Sequence, residues 1–591
     1  MSFKIKNGNN EMYLKSFVIK NFRCIKDLTL DFNDGLNILI GENNSGKTSI
    51  LDALRICFSY GNQRRDIYVR KEDFHIDLKN PKSEIEDIEF HLYFKIKNQE
   101  KAGYFNDMLS VVGDHQELQL HFKYFIENRN GLEKIRYKVW GGDNEGQPIT
   151  PDELDLLFFV YLGALRDAVR NLRPGRGNII GDLYTKIETD EEKQKALANK
   201  VHNSLQTDSE WTKLISKGKD QVNEHLKNFS ITDKIQKISI DFLPVEFRRI
   251  VENLIIQIPI FKDEIKSSDQ QIYFELYQNG LGYNNLIYTA AILGHLQKKQ
   301  EIEKEGYIAL LIEEPEAHLH PQLQNIFFNY LNQLNISGFQ IFISSHSPTI
   351  TAKSDLDSIL VLQNKKNLIS SLSIKSSNLT EDNIKYLHKF LDVTKSQLFF
   401  ANGAIFVEGI SEALLMPVFS KLMGSDYCIE KNGIELVNIN GVAFEHFANL
   451  FNSDSIEKRL ISKASILTDD DRNDEEIESP RAQKAMDLEG GNLKVFLAER
   501  TFEFELFKSG NEKILIDTFA EICPRAVKNI DKGNSVDEYA QNFVDKVSSN
   551  KAKSELAHKL AIRLTKPSES QNFIIPDYIK NAIKWVVKGE I

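Results

Sequence analysis

Two sets of residues have the types and spacing to do chemistry on phosphates. The first opens at Gly41 to Ser49, GENNSGKTS, which fits the pattern G-x-x-x-x-G-K-[ST]. In such a loop Gly41 and Gly46 let backbone N–H groups close around phosphate oxygens, while Lys47 reaches the β/γ oxygens and Thr48 holds Mg²⁺. Gly41, Asn44, Gly46, Lys47, Thr48 and Ser49 are therefore the expected nucleotide-binding set. Hydrolysis also needs an acid on the metal and a base for water. Tyr307 to Pro321, YIALLIEEPEAHLHP, supplies Glu313 and Glu314 at the end of an apolar run. A carboxylate at Glu313 would orient the Mg²⁺ shell, and Glu314 would position and polarise the water that attacks the γ-phosphate. A further apolar run, Phe339 to Ile343, delivers Ser344, Ser345 and His346, which makes His346 a candidate sensor of that phosphate.

The second set is acidic. Ala404 to Val407 runs into Glu408-Gly409, with Glu412 one helical turn on, and Ala464 to Leu467 runs into Thr468-Asp469-Asp470-Asp471. A carboxylate at the C-terminal end of a strand, followed by glycine, lies where open α/β sheets place ligands. Asp469 and Asp471 would converge with Glu408 at one edge of a parallel sheet, and clustered carboxylates suit hard cations such as Mg²⁺ or Mn²⁺. Asp474 to Glu478 read instead as a solvated loop. His318 and His320, two residues apart, do not share a helix face and are not expected ligands. Arg166, Arg170, Arg173 and Arg176 fall within ALRDAVRNLRPGRGN. They fit either a solvated helix end or an edge that contacts phosphates, on a nucleotide across a dimer interface or on a DNA backbone.

The elements that must carry these residues are visible as hydrophobic periodicities. Leu36 and Ile38 to Ile40 form a strand before the glycine loop, and Ile50, Leu51, Leu54 and Phe58 mark a helix after it, whose N-terminal dipole adds to the anion site. Leu14 to Phe32 reads as two strands around a turn at Asn21-Phe22-Arg23, and Ile88 to Ile96 and Leu118 to Ile126 alternate as antiparallel strands. Gly181 to Lys237 is polar with helical spacing at Leu197, Val201 and Leu205, an inserted helical subdomain. Asn364 to Asn383, rich in Ser, Asn and Lys, reads as a linker.

A chain of 591 residues exceeds one hydrophobic core, so two or three domains are expected. No apolar run approaches the roughly 20 residues that span a bilayer, and the N-terminus has no signal-peptide pattern, which predicts a cytoplasmic protein with no membrane role. Cys24, Cys57, Cys428 and Cys523 are scattered, against a disulfide framework or a zinc module. A net charge of −11 excludes a uniformly basic nucleic-acid surface and leaves room only for a local groove.

NFR before the glycine loop, GENNSGKTS, LLIEEPEAHLHP and ISSHSP together resemble the ABC-class ATPase heads of the SMC, RecF and OLD relatives. The resemblance implies ATP as the nucleotide, sandwiched between the phosphate loop of one subunit and a segment of another, here Asn279 to Asn285, NGLGYNN. VEG with an acid three residues on, followed by TDDD, resembles a Toprim domain, and head plus Toprim in this order resembles the OLD nuclease family over nearly the whole chain. By that resemblance Glu408, Glu412, Asp469, Asp471 and Glu503 would bind metal and Lys553 would steady the scissile phosphate. Glu505 rivals Glu503, and Lys551 rivals Lys553.

The expected fold is α/β: an ABC-type ATPase head (1–180 and 241–375) with an inserted helical subdomain (181–240), a linker (376–400) and a C-terminal Toprim domain with a helical C-terminal part (401–591). The expected activity is that of an ATP-binding and hydrolysing, metal-dependent DNA endonuclease. The resemblance further implies at least a homodimer and a role in anti-phage defence, beside a helicase-like protein or a retron reverse transcriptase with its DNA–RNA product. A topoisomerase or primase lacks room and residues here. A non-cleaving DNA repair or scaffold ATPase of RecF type is the standing alternative.

Overall fold

A computed structural model of the chain describes residues 12–60, 67–76, 85–97, 102–112, 115–163, 168–229, 237–259, 273–302, 306–317, 319–334, 338–365, 368–441, 443–471 and 479–590. Arg166, the Arg170 side chain, His318 and Asp474 to Glu478 lie outside the described residues. The chain forms two compact units. One runs to Phe159 and resumes at Leu311–Glu316 and from Pro321 onward; the other comprises Val160–Leu310 and Ala317–His320.

The first unit opens with β1 (Met12–Phe22), β2 (Ile25–Asp31), β3 (Leu36–Gly41), β4 (Ile88–Ile96), β5 (Leu109–Val112), β6 (His115–Arg129) and β7 (Leu132–Gly141), and β8 (Leu157–Leu162) leads out of it. An antiparallel sheet has the order β2-β1-β4-β6-β5, with β7 also paired to β6. Alternation gives it one dry face: Phe90, Leu92 and Phe94 are buried, and Phe22 meets Phe90 edge-on at 5.2 Å.

In the second unit the helices Ile179–Ile187, Glu191–Thr207 and Ser209–Phe229 run through residues 181–240, and the compact unit extends well beyond those residues. Glu252 is one reason. Its carbonyl accepts from Gly175 N at 2.9 Å and Asn178 Nδ2 at 2.8 Å, and its carboxylate from Gly177 N, which ties the Arg173–Asn178 turn to the helix Phe247–Glu252. Two short strands, β9 (Ile258–Pro259) and β10 (Tyr273–Phe274), pair before the helix Leu281–Ile302. Of Asn279 to Asn285, Leu281 to Asn285 form the first residues of that helix, and Asn279 and Gly280 precede it. Asn284 is buried and donates to Leu276 O at 2.6 Å.

The strands β11 (Tyr307–Glu313), β12 (Gln340–Ser345), β13 (Ile359–Lys365) and β14 (Leu368–Ser373) complete a sheet of order β14-β13-β3-β12-β11-β8. Every residue of β3 and β12 is buried, as expected of parallel strands covered on both faces. Buried Gln340 ties β12 to β1, accepting from Leu14 N and donating to Leu14 O, both at 2.8 Å. Asn364 to Asn383, expected as a linker, instead holds the end of β13, the strand β14 and the start of a helix, Glu381–Phe390, capped by Thr380. Its polar residues belong to an edge strand, while Ile369 and Leu372 point inward.

The C-terminal part is built on β15 (Gly403–Val407), β16 (Ile434–Asn438), β17 (Lys463–Asp469) and β18 (Leu493–Ala498), all parallel in the order β16-β15-β17-β18. The chain leaves β15 toward β16 and returns on the other side as β17. The C-terminal ends of β15 and β17 are thus the topological switch point, where a crevice opens for ligands.

Candidate nucleotide and metal sites

At the first site the sheet register sets the geometry. β3 lies between β12 and β13, with Ser345 opposite Ile40 and Leu362 opposite Gly41. Gly41 has φ +145°, and a Cβ there would lie 2.1 Å from the Leu362 carbonyl oxygen, so only glycine fits. Asn44 at φ +62° and Gly46 at φ +92° turn the loop into the helix Lys47–Phe58. Lys47 is folded back into the loop, donating to Gly41 O at 2.8 Å, Glu42 O at 2.6 Å and Ser45 Oγ at 3.1 Å. Burial pulls its ammonium down to about 8, against the opposing pull of Glu314, Glu316 and Glu42.

Thr48 donates to Glu313 Oε1 at 2.6 Å, which brings the loop hydroxyl and the β11 acid to one point. Glu314 follows in a left-handed conformation, φ +44°, with its N–H on Ser344 O at 2.9 Å. Its Oε1 faces His346 Nε2 at 3.8 Å, and burial together with Lys47 keeps that imidazole below its usual range. Ser49 is buried on the helix beyond the loop.

Glu316 is the residue that sequence reasoning passed over here. Its Oε1 accepts from Ser345 Oγ at 2.9 Å and His346 N at 2.7 Å, so it clamps the turn that carries the sensor histidine. Its Oε2 is buried without a partner, and burial raises its carboxyl above the usual range. The signal was the third acid of EEPE. Arg23 of the NFR motif also gains a role, joining Asp52 of the nucleotide helix and Asp73 at 2.7 Å each.

At the second site Glu408 ends β15 and Asp469 ends β17. Glu408 Oε1 accepts from Asp469 N at 3.0 Å and from the Thr468 hydroxyl. Glu412, 8% exposed, lies on the helix Ile410–Leu422. Burial pushes its carboxyl up to about 7, helped by the negative charges of Glu503 and Glu408 and opposed by Lys553. Asp469 is driven well above the carboxylate range by burial and then by Glu408, Glu412, Glu503 and Asp471.

The rivals separate. Glu503 is 6% exposed and accepts from Lys553 Nζ at 3.0 Å, whereas Glu505 turns to cap Glu499 N at 2.9 Å. Burial pulls the Lys553 ammonium down, but Glu503, Asp469 and Glu412 outweigh it and leave it raised; Lys551 is exposed in a left-handed turn. Within TDDD, Asp470 is structural, accepting from Ser479 N at 2.8 Å, while Asp471 at φ +54° swings back toward the crevice. There it meets Arg481, whose guanidinium also binds Glu408. Nothing in the spacing of Arg481 marked it in advance. Among the described residues no three acidic, imidazole or thiol groups stand close enough to cage an ion as they are. The donor set is nevertheless all carboxylate oxygen, with Glu408 and Asp469 at the C-terminal ends of β15 and β17 and Glu412 and Glu503 on helices, which fits a hard divalent cation.

The AAA ATPase domain model matches residues 12–351, more than half of the chain and every residue of the first site. The chain belongs to the AAA ATPase domain family. Beyond that ATPase domain, the TOPRIM domain of the overcoming lysogenization defect protein-like family matches residues 399–471, which include Glu408, Glu412, Asp469 and Asp471. An "Endonuclease GajA" of Bacillus cereus (strain HuB5-5) is 22% identical over 98% of this chain and 88% of its own length. The "Endonuclease GajA" of Bacillus cereus (strain VD045) is 25% identical over 75% of this chain and 73% of its own. The "Old nuclease" of Escherichia phage P2 is 22% identical over 86% and 87%. The ATPase domain and the Toprim domain thus stand in one chain that is similar, over most of its length, to proteins named as nucleases.

Proposed function

We propose that the chain is an ATP-binding and hydrolysing, divalent-metal-dependent DNA endonuclease. The observation that carries this reading is the set Glu408, Glu412, Asp469 and Glu503 with Lys553, gathered at the switch point of a parallel sheet. These residues, with Asp471, would hold Mg²⁺ or Mn²⁺, which when bound supplies a water of lowered pKa and charge for the leaving oxygen. Lys553, fixed by Glu503, stabilises the charge that grows on the scissile phosphate. Thr468 and the Asp469 N–H fix one Glu408 oxygen, and Arg481 holds the other.

In the ATPase domain Lys47 would turn from its carbonyl cradle to the β/γ oxygens, and Thr48 and Glu313, hydrogen-bonded to each other, would hold Mg²⁺. Glu314 accepts the proton of the attacking water, and His346, neutral and held by Glu316, donates to the γ-phosphate. The reading extends to a homodimer or larger homo-oligomer that shares its nucleotide sites. It also extends to anti-phage defence with a helicase-like or retron-type partner, on the strength of the family resemblance. The test is supercoiled plasmid incubated with the full chain. Nicking or linearisation in Mn²⁺ or Mg²⁺ that stops on chelation supports the reading, and DNA left intact under every metal condition while ATP is hydrolysed returns it to a non-cleaving scaffold.

A further inference from the structure

Arg481 lies on the short helix Pro480–Met486, which Ser479 caps through Ala482 N. Its Nη2 donates to Glu408 Oε2 and its Nη1 to Asp471 Oδ2. One guanidinium therefore spans two of the carboxylates assigned to metal above, and this inference rests on that assignment. The other Glu408 oxygen is already taken by Thr468 and Asp469 N. The oxygen left for an ion is the one that Arg481 occupies.

A second observation bears on how firmly the guanidinium belongs there. Its Nε is buried with no hydrogen-bond partner, and a buried donor without an acceptor is a standing cost. The contact is held by the two acids, not by a pocket that satisfies the whole guanidinium. Lys553 differs: it is paired with Glu503 at 3.0 Å, not with Glu408 or Asp471.

We propose that Arg481 is an internal counter-cation that competes with the divalent ion for Glu408 and Asp471, holding the acids paired until the ion displaces it. The opposite role is also physically ordinary: an outer residue that orients a ligand, whose loss costs about 10–100-fold in metal affinity. The two roles differ in sign. Removing a competitor tightens metal binding, and removing a support weakens it.

The experiment is Mn²⁺ binding to the full chain, without DNA or nucleotide, followed by the paramagnetic resonance of free Mn²⁺. Arg481→Gln keeps bulk and polarity at the position, and Arg481→Ala serves as a second variant. Both are expected to bind Mn²⁺ about tenfold more tightly than wild type, as the loss of a cation in contact with two ligands requires. In chelator both should melt below wild type, because the acids lose their partner, and Mn²⁺ should raise their melting temperature more than that of wild type. Wild type that binds Mn²⁺ while the variants bind it equally or more weakly overturns this inference and leaves the metal assignment standing. Wild type and variants that all fail to bind Mn²⁺ overturn the assignment itself, and this inference with it.

Discussion

Thr48 donates its hydroxyl to Glu313 Oε1 at 2.6 Å, so two residues 265 positions apart in sequence meet where a nucleotide-bound Mg²⁺ would sit. The meeting depends on β3 and β11 lying on either side of β12, which brings their C-terminal ends to one edge of the sheet. Lys47 waits beside them with its ammonium bound to three loop oxygens. Lys47→Ala removes the point charge aimed at the phosphates, and ATP affinity is expected to fall by about 100-fold or more, roughly two charge-assisted hydrogen bonds. Calorimetric titration with ATP and Mg²⁺ checks this; affinity within a few-fold of wild type would contradict the phosphate-cradling role.

Glu314→Gln should separate binding from turnover. The amide keeps the size of the side chain and cannot accept a proton, so ATP should bind as in wild type while the hydrolytic rate falls by about 10²–10⁴. Phosphate release in single-turnover experiments reads the difference. A wild-type rate would assign the base elsewhere.

Gly41→Ala tests the close approach of the loop to β13. At φ +145°, with the Leu362 carbonyl in the way, an added methyl forces the loop or the strand to move, a cost of about 1–3 kcal/mol for the backbone strain alone. The melting temperature should fall by several degrees and ATP binding should weaken with it. An unchanged melting temperature would mean that the loop does not hold this conformation.

Asp469→Asn should trade stability against activity. The folded-state carboxyl is raised by burial and by neighbouring acids, so its ionised form destabilises the metal-free fold. The stability it contributes is fully present below the unfolded value near 4 and is lost as pH rises through the raised folded value. In chelator, Asn should therefore raise the melting temperature at pH 8, with the gain shrinking toward pH 4. A gain of equal size at both pH values would show that charge is not its cause.

Much of this arrangement was legible in the sequence because strand ends and turn glycines leave strong local signals. AIFVEG and ILTDDD each read as an apolar run that stops at an acid, and the parallel register sets Val407 opposite Leu467, so that Glu408 reaches Asp469 N at 3.0 Å. The phosphate loop was legible for the same reason. What was not legible came from partners far apart in the chain. Arg481 acts on Glu408 from 73 positions away, and Glu316 on His346 from 30. No periodicity encodes either contact. Asn364 to Asn383 misled because an exposed edge strand and a linker have the same polar composition; only the inward Ile369 and Leu372 distinguish them.

If two chemistries occupy separate residue sets, plasmid cleavage and ATP hydrolysis should part when measured on the same preparations of Glu408→Ala, Lys553→Ala and wild type. Glu408→Ala, folded by circular dichroism, should lose cleavage in both Mg²⁺ and Mn²⁺, because one missing ligand disrupts the ion that generates the nucleophile, and should hydrolyse ATP at the wild-type rate. Lys553→Ala should cleave slowly and still bind Mn²⁺. Glu408→Ala protein that nicks plasmid at the wild-type rate would show that Glu408 holds no catalytic ion and return the chain to the non-cleaving reading.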